Sequence, residues 1–126
     1  MGNNFSTLQH ILEHCYTIEE YLIEGNVQSF EDFNKNKLVH DAVVMRLLAM
    51  GELTTHLTDE FKSSHSVQID WRNLKQLRNI IAHRYGTIQF HTIWEIIQND
   101  VPTIRDFCLS QTEQPSDCSE AEDNEN

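Results

Sequence analysis

Glycine and proline are scarce in this 126-residue chain, four and two in number. That scarcity argues against an all-β architecture, whose many tight turns need residues that tolerate or impose special backbone angles. Cysteine is scarce too, at Cys15, Cys108 and Cys118. An odd count at wide spacing fits neither a disulfide framework nor a zinc site, so the three read as two core-facing thiols and one in the tail. No stretch reaches the roughly 18 uncharged apolar residues of a membrane span, and no basic region followed by an apolar run opens the chain. The expectation is a soluble, cytoplasmic protein. Basic residues are outnumbered, nine Lys and Arg against 20 Asp and Glu, for a net charge of −11. Such a balance counts against a nucleic-acid ligand, whose affinity is dominated by phosphate neutralisation.

What is present forms helices. With 39% apolar residues the chain has material for one domain and one core. Leu8, Ile11, Leu12, Cys15, Ile18 and Leu22 recur at helical spacing, and Gly25-Asn26 supplies a stop. Val27, Phe30 and Phe33 suggest a short second helix or turn. The stretch "LVHDAVVMRLLAM", Leu38 to Met50, has ten apolar residues of thirteen, too many for one narrow stripe. That helix is therefore central, or buried a second time in a subunit interface.

Polar residues from Thr54 to Ser66 are expected to form a loop, with Asp70 as the N-cap of the next helix. Trp71, Leu74, Leu77, Ile81 and Tyr85 then recur at three- and four-residue steps, and Gly86 follows as a C-terminal stop. A last helix starts near Gln89 and carries Ile93, Ile96, Ile97, Val101, Ile104 and Phe107; Pro102 inside it either kinks the helix or begins a new turn. The composition predicts an all-α antiparallel bundle of about four to five helices over residues 1–110, followed by an acidic disordered tail over residues 111–126.

Charge is unevenly spread. Residues 111–126 hold six acids and no base, whereas residues 62–85 carry Lys62, Arg72, Lys75, Arg78 and Arg84 against Asp70 alone, a local +4. That basic segment contains "LRNIIAHRYG", Leu77 to Gly86. Arg78 and His83 are five residues apart, hence about 140° apart around an ideal helix and about 7.5 Å along it. One rigid helix would not aim both at one phosphate. They meet if the helix loosens at His83, or if a two-fold dimer sets two copies of the segment across a cleft.

The set suits RNA cleavage. RNA carries its own nucleophile, the 2′-OH, so an enzyme need supply only a proton-transfer group near neutral pKa and a cation for the developing charge. His83 fits the first role and Arg78 the second. Asn79 can hydrogen-bond a phosphate or fix the histidine ring, and Tyr85 can position a base or sugar. This chemistry requires no metal and no cofactor.

Arg78, His83 and Tyr85, with Asn79 after the arginine, stand in the pattern R-x-x-x-x-H-x-Y. Together with "DAVVMRLLAMGEL" (Asp41 to Leu53), "IDWRNLKQLRN" (Ile69 to Asn79) and "IWEIIQNDVPTI" (Ile93 to Ile104), in that order, they resemble the HepT toxin family of the HEPN superfamily over residues 5–108. The resemblance implies an all-α, two-fold homodimer and a metal-independent endoribonuclease acting on tRNA or mRNA. It implies catalytic roles for Arg78 and His83 in a cleft shared by both protomers. It also implies a nucleotidyltransferase antitoxin that AMPylates Tyr85, and an adduct there would block the cleft by charge and size. Glu52, from the Gly51-Glu52 pair, is a candidate for orienting a motif side chain. The acidic tail is not a feature of that family.

Two other readings stand beside this one. "HILEH", His10 to His14, matches the H-x-x-E-H pattern of inverted zinc peptidases and places both histidines on one helix face. Its context, a short amphipathic helix with Ile11 and Leu12 toward a core, supplies no further ligand. The stronger alternative is a non-catalytic HEPN module that binds a nucleotidyltransferase or a nucleotide, which the net charge favours.

Overall fold

The structure is a computed structural model in which residues 2–113 are described, residues 2, 3 and 85 as backbone alone. Residues 114–126, with Cys118 and nearly all of the expected tail, lie outside the described residues. Among the described residues every regular element is helical: α1 (Gly2–Glu24), α2 (Phe30–Asn34), α3 (Lys37–Thr54), α4 (Asp59–Ser64), α5 (Trp71–Arg84), α6 (Phe90–Glu95) and α7 (Val101–Thr112).

Helix α1 buries the stripe Leu8, Ile11, Cys15 and Ile18, the last two fully. It ends in a Schellman motif: the Val27 N–H donates to the Leu22 carbonyl at 2.8 Å and the Asn26 N–H to the Ile23 carbonyl at 3.0 Å. The left-handed residue is Asn26, with φ of 57°, and not Gly25. Gly25 serves a different need, because a Cβ there would stand 2.6 Å from Val39 Cγ2. Its bareness lets the start of α3 pass close to the end of α1.

Helix α3 is the central rod, packed on α1 and on α5. Asn4 meets Thr58, just past the end of α3, while Gly25 meets Val39 near its start, so α1 and α3 run antiparallel. Gly51 against Arg78, and Thr54 beside Leu74, give the same sense for α3 and α5. On the other flank α7 lies against α1, and Arg105 bonds Glu19 across that seam. Val43, Val44, Phe33, Ile93 and Val101 complete the core, each such burial stabilising by about 1.5–3 kcal/mol. Helix α3 is nevertheless not covered all round: Leu38 is 81% exposed and Met45 63%.

The expected loop at Thr54–Ser66 contains a helix instead. Thr58 caps α4 by accepting from the Phe61 N–H at 3.1 Å, with Asp59 and Glu60 in its first turn. Phe61 anchors it against Trp71 and Phe107, ring centroids 6.2 and 6.1 Å away. Asp70 caps α5 as expected, accepting from the Asn73 N–H at 3.1 Å.

Pro102 sits at the start of α7, directly after a π-helical turn at Ile96–Asp100, in which the Val101 N–H reaches back five residues to the Ile96 carbonyl. The wider turn absorbs the carbonyl register that proline, lacking an N–H, leaves open. Phe90 to Thr112 thus stays one helical path. No helix among the described residues is long and apolar enough to cross a membrane.

Candidate functional site

The basic motif lies on α5, whose inner face is fixed by Leu74 and Ile81, both buried, with Trp71 and Leu77 packed beside them. Helix α5 remains α-helical through Arg84, and the tighter 3₁₀ turn Tyr85–Thr87 begins only afterwards. The helix therefore does not loosen at His83. Gly86 lies within that turn without positive φ, so the stop expected of it falls in the right place but is not a left-handed glycine cap.

Arg78 points toward α3. A Cβ on Gly51 would stand 2.6 Å from Arg78 Cβ, so the two helices touch at this pair. Arg78 Nε donates to Glu52 Oε2 at 2.8 Å, and Nη1 donates to Asn79 Oδ1 at 3.1 Å. The guanidinium is thereby tethered at two of its three nitrogens, with its side chain 30% exposed. An ion pair this open adds only about 0.2–1 kcal/mol to stability; its larger effect is to hold the arginine in one direction. Glu52 thus has the orienting contact expected of it. The role of Gly51 was not anticipated, although a glycine late in a strongly apolar helix is the signal for such close approach.

His83 is exposed and makes no hydrogen bond among the described residues. It lines an open groove of about 510 Å³ with Gln76, Asn79, Ile80 and Arg84. Gln76, Ile80 and His83 follow i, i+4, i+7 spacing, a register from which Gln76 and Ile80 were legible as neighbours of His83. Asn79 lies between the two catalytic candidates, bonded to Arg78 and lining the His83 groove. Within one copy Arg78 and His83 still face about 140° apart. Tyr85 opens the 3₁₀ turn directly beyond α5, and its side chain lies outside the described residues.

The histidine pair of α1 does not converge on a metal. His14 Nδ1 lies 3.2 Å from Arg46 Nη1, and His10 Nδ1 lies 3.5 Å from Glu13. Burial, and then the Arg46 charge, push the pKa of His14 down. Among the described residues no group of three or more His, Cys, Asp or Glu could hold a metal ion.

A helical bundle that presents an arginine, an asparagine and a histidine from one exposed helix is the class of protein defined here. Residues 11–110 match the family model described as ribonuclease HepT-like, and the chain belongs to this HepT-like family. It is 35% identical over 98 residues to a protein of Caldanaerobacter subterraneus subsp. tengcongensis provisionally named an RNase, covering 77% of this chain and 83% of that one. It is 30% identical over 98 residues to the "Probable ribonuclease HepT" of Thermococcus cleftensis, covering 78% and 86%. A Methanocaldococcus jannaschii protein named both a gamma-glutamylcyclotransferase and, provisionally, an RNase is 30% identical over 107 residues. Those residues are 85% of this chain but 46% of that protein, so the chain spans about half of that relative's length. No solved structure matches the chain significantly.

Proposed function

We propose that this chain is a metal-independent endoribonuclease that works as a two-fold homodimer, with Arg78 of one protomer facing His83 of its partner. The observation that carries this reading is the tethering of Arg78 by Glu52 and Asn79 on a helix that stays regular through His83. Two groups fixed on different sides of one helix act on one phosphate when a second copy supplies the missing half. The exposed side of α3 supports such pairing. Leu38, Ala42, Met45 and Ala49 recur at i, i+4, i+7 and i+11, forming an apolar stripe that leads to Glu52.

In the reaction His83 removes the proton of a ribose 2′-OH, whose oxygen attacks the adjacent phosphorus. The 5′-oxygen of the next nucleotide leaves, taking up a proton from water, His83 returns its own proton to solvent, and the strand ends in a 2′,3′-cyclic phosphate. Arg78 meets the charge that builds on the non-bridging oxygens, where a positioned donor stabilises the transition state more than the ground state. Asn79 holds the guanidinium. tRNA or mRNA is the substrate, and the natural partner is a nucleotidyltransferase antitoxin that moves AMP from ATP to the Tyr85 hydroxyl with loss of pyrophosphate. Such an adduct adds bulk and negative charge to the motif that RNA must approach. The acidic segment 111–126 belongs to neither chemical role.

The test is cleavage of a mixed tRNA pool in chelator by protein shown by mass to be unmodified at Tyr85. Wild type is expected to cut, and His83→Ala at matched dimer content is not. Cleavage by neither would sink the enzyme and favour a non-catalytic module that binds a nucleotidyltransferase or nucleotide, the reading that the net charge of −11 supports.

A further inference from the structure

In a chain with 20 acids and nine bases, an exposed base has ample choice of carboxylate partners. Lys37 has Asp41, Arg78 has Glu52, and Arg105 has Glu19 and Asp106. Lys35, Arg46 and Arg84 have no ion pair among the described residues, and neither do Lys62, Arg72 and Lys75, which stand together. They line one open groove of about 580 Å³ between α4 and α5, together with Thr55, Ser63 and Trp71 and with Asp59 as its acid. An adjoining groove of about 660 Å³ extends past Lys62 and Arg72, with Ser66 and Gln68. Its acid, Asp70, is engaged as the cap of α5.

The register of α5 ties this patch to the candidate catalytic groove. Arg72, Lys75, Asn79 and His83, at i, i+3, i+7 and i+11, fall within about 80° of one another around the helix and span about 16 Å of its axis. Arg72 and Lys75 therefore stand at the start of the same face that ends in His83, and the groove of Gln76, Asn79, Ile80, His83 and Arg84 continues it. We propose that Lys62, Arg72 and Lys75 form a backbone-binding track for the RNA strand leading away from the scissile phosphate. This rests on the ribonuclease reading for its polarity, and deepens it by placing the substrate a few nucleotides beyond the cut. Because an extended single strand spaces its phosphates at roughly twice the 3.4 Å duplex rise, 16 Å corresponds to about two to three nucleotides. A linear, sequence-tolerant polyanion fits a row of flexible bases and hydroxyls that reads charge spacing and not base edges.

The experiment measures binding of a single-stranded RNA dodecamer to the full-length chain in chelator, as a function of salt, for wild type and for Lys62→Gln/Arg72→Gln/Lys75→Gln. Each lost phosphate contact removes about 0.7 from the slope of log affinity against log salt. The triple variant is expected to lose about 2 from that slope and at least tenfold in affinity at moderate salt. Its cleavage of a dinucleoside monophosphate, too short to reach the track, is expected to stay at the wild-type rate. Lys62→Arg/Lys75→Arg, which keeps the charge, is expected to restore the slope.

An unchanged slope in a triple variant of native helical content would overturn the track. So would a peptide of residues 111–126 that displaces RNA from wild type and binds wild type but not the triple variant, because the groove would then be the seat of the chain's own acidic segment. Binding is read without cleavage, so a wild type that binds with the full slope and cuts nothing leaves the track standing while the ribonuclease reading falls.

Discussion

The seam between α1 and α7 and the outer face of α5 are built by opposite rules. At the seam, Cys15, Ile18 and Cys108 are buried to 1% exposure or less, and Arg105 spends its guanidinium on Glu19 and Asp106. Charge there is neutralised and apolar surface is removed from water, which is how a marginally stable domain holds together. On the outer face of α5, Arg72, Lys75 and His83 stand exposed, without carboxylate partners among the described residues, and Ile80 is left 46% open. Arg78, at the edge of that face, is held by Glu52 yet keeps part of its guanidinium accessible. The contrast separates scaffold from proposed site: one region is closed on itself, whereas the other leaves positive and proton-transferring groups open to the anion proposed above.

Substitutions on the two sides should therefore fail differently. His83→Ala is expected to lower cleavage by about 10²–10⁴-fold, the range for a general acid–base group, while unfolding in denaturant shifts by no more than about 0.5 kcal/mol because the site is exposed. Ile18→Ala should reverse the pattern, losing about 2–5 kcal/mol of stability through an unfilled cavity with the cleavage rate of the folded fraction unchanged. Gly51→Ala touches both regions. Its methyl would press on Arg78 Cβ, so denaturation should show a loss of about 1–3 kcal/mol from overpacking, and cleavage should fall with it as the guanidinium is displaced. Met45→Glu should leave monomer unfolding nearly unchanged and abolish the dimer and the cleavage, as read by light scattering and by the tRNA assay.

The last effect is a pH limb, confined to strongly alkaline solution. Burial pushes the Cys15 and Cys108 thiols up from 9.0 to about 12. Above pH 9 the unfolded chain releases these protons and the folded chain keeps them, so their contribution to stability is present below pH 9 and is lost as pH climbs toward 12. Cys15→Ala/Cys108→Ala should flatten that limb, and neither wild-type thiol should react quickly with a thiol reagent at pH 8.

Most of the scaffold was legible because it obeys one period. The stripes on α1 and α5 can be read from residue spacing, as can the Asp70 cap, since each depends on residues within one or two turns. What escaped depends on contacts between segments. Helix α4 is too short and polar to show a stripe and is held by Phe61 on Trp71 and Phe107, although Thr58 with Asp59 and Glu60 carried a readable start signal. Gly25 looked like the turn residue, but Val39 claims its missing Cβ and Asn26 takes the left-handed angle. Pro102 left two outcomes open that only the π turn before it decides. At the site, helix geometry alone already held Arg78 and His83 apart, whereas the clamp of Gly51, Glu52 and Asn79 on Arg78 needs α3 laid against α5.

The claim most exposed to test is that one catalytic centre draws Arg78 and His83 from different protomers. Arg78→Ala and His83→Ala, each inactive alone, would be unfolded together, refolded as a mixture and assayed on tRNA in chelator. Half of the dimers should be mixed, each with one complete centre of two, so roughly a quarter of the wild-type rate should return. Wild type that cleaves under the same conditions, beside a mixture that stays dead despite verified heterodimers, would contradict the shared cleft.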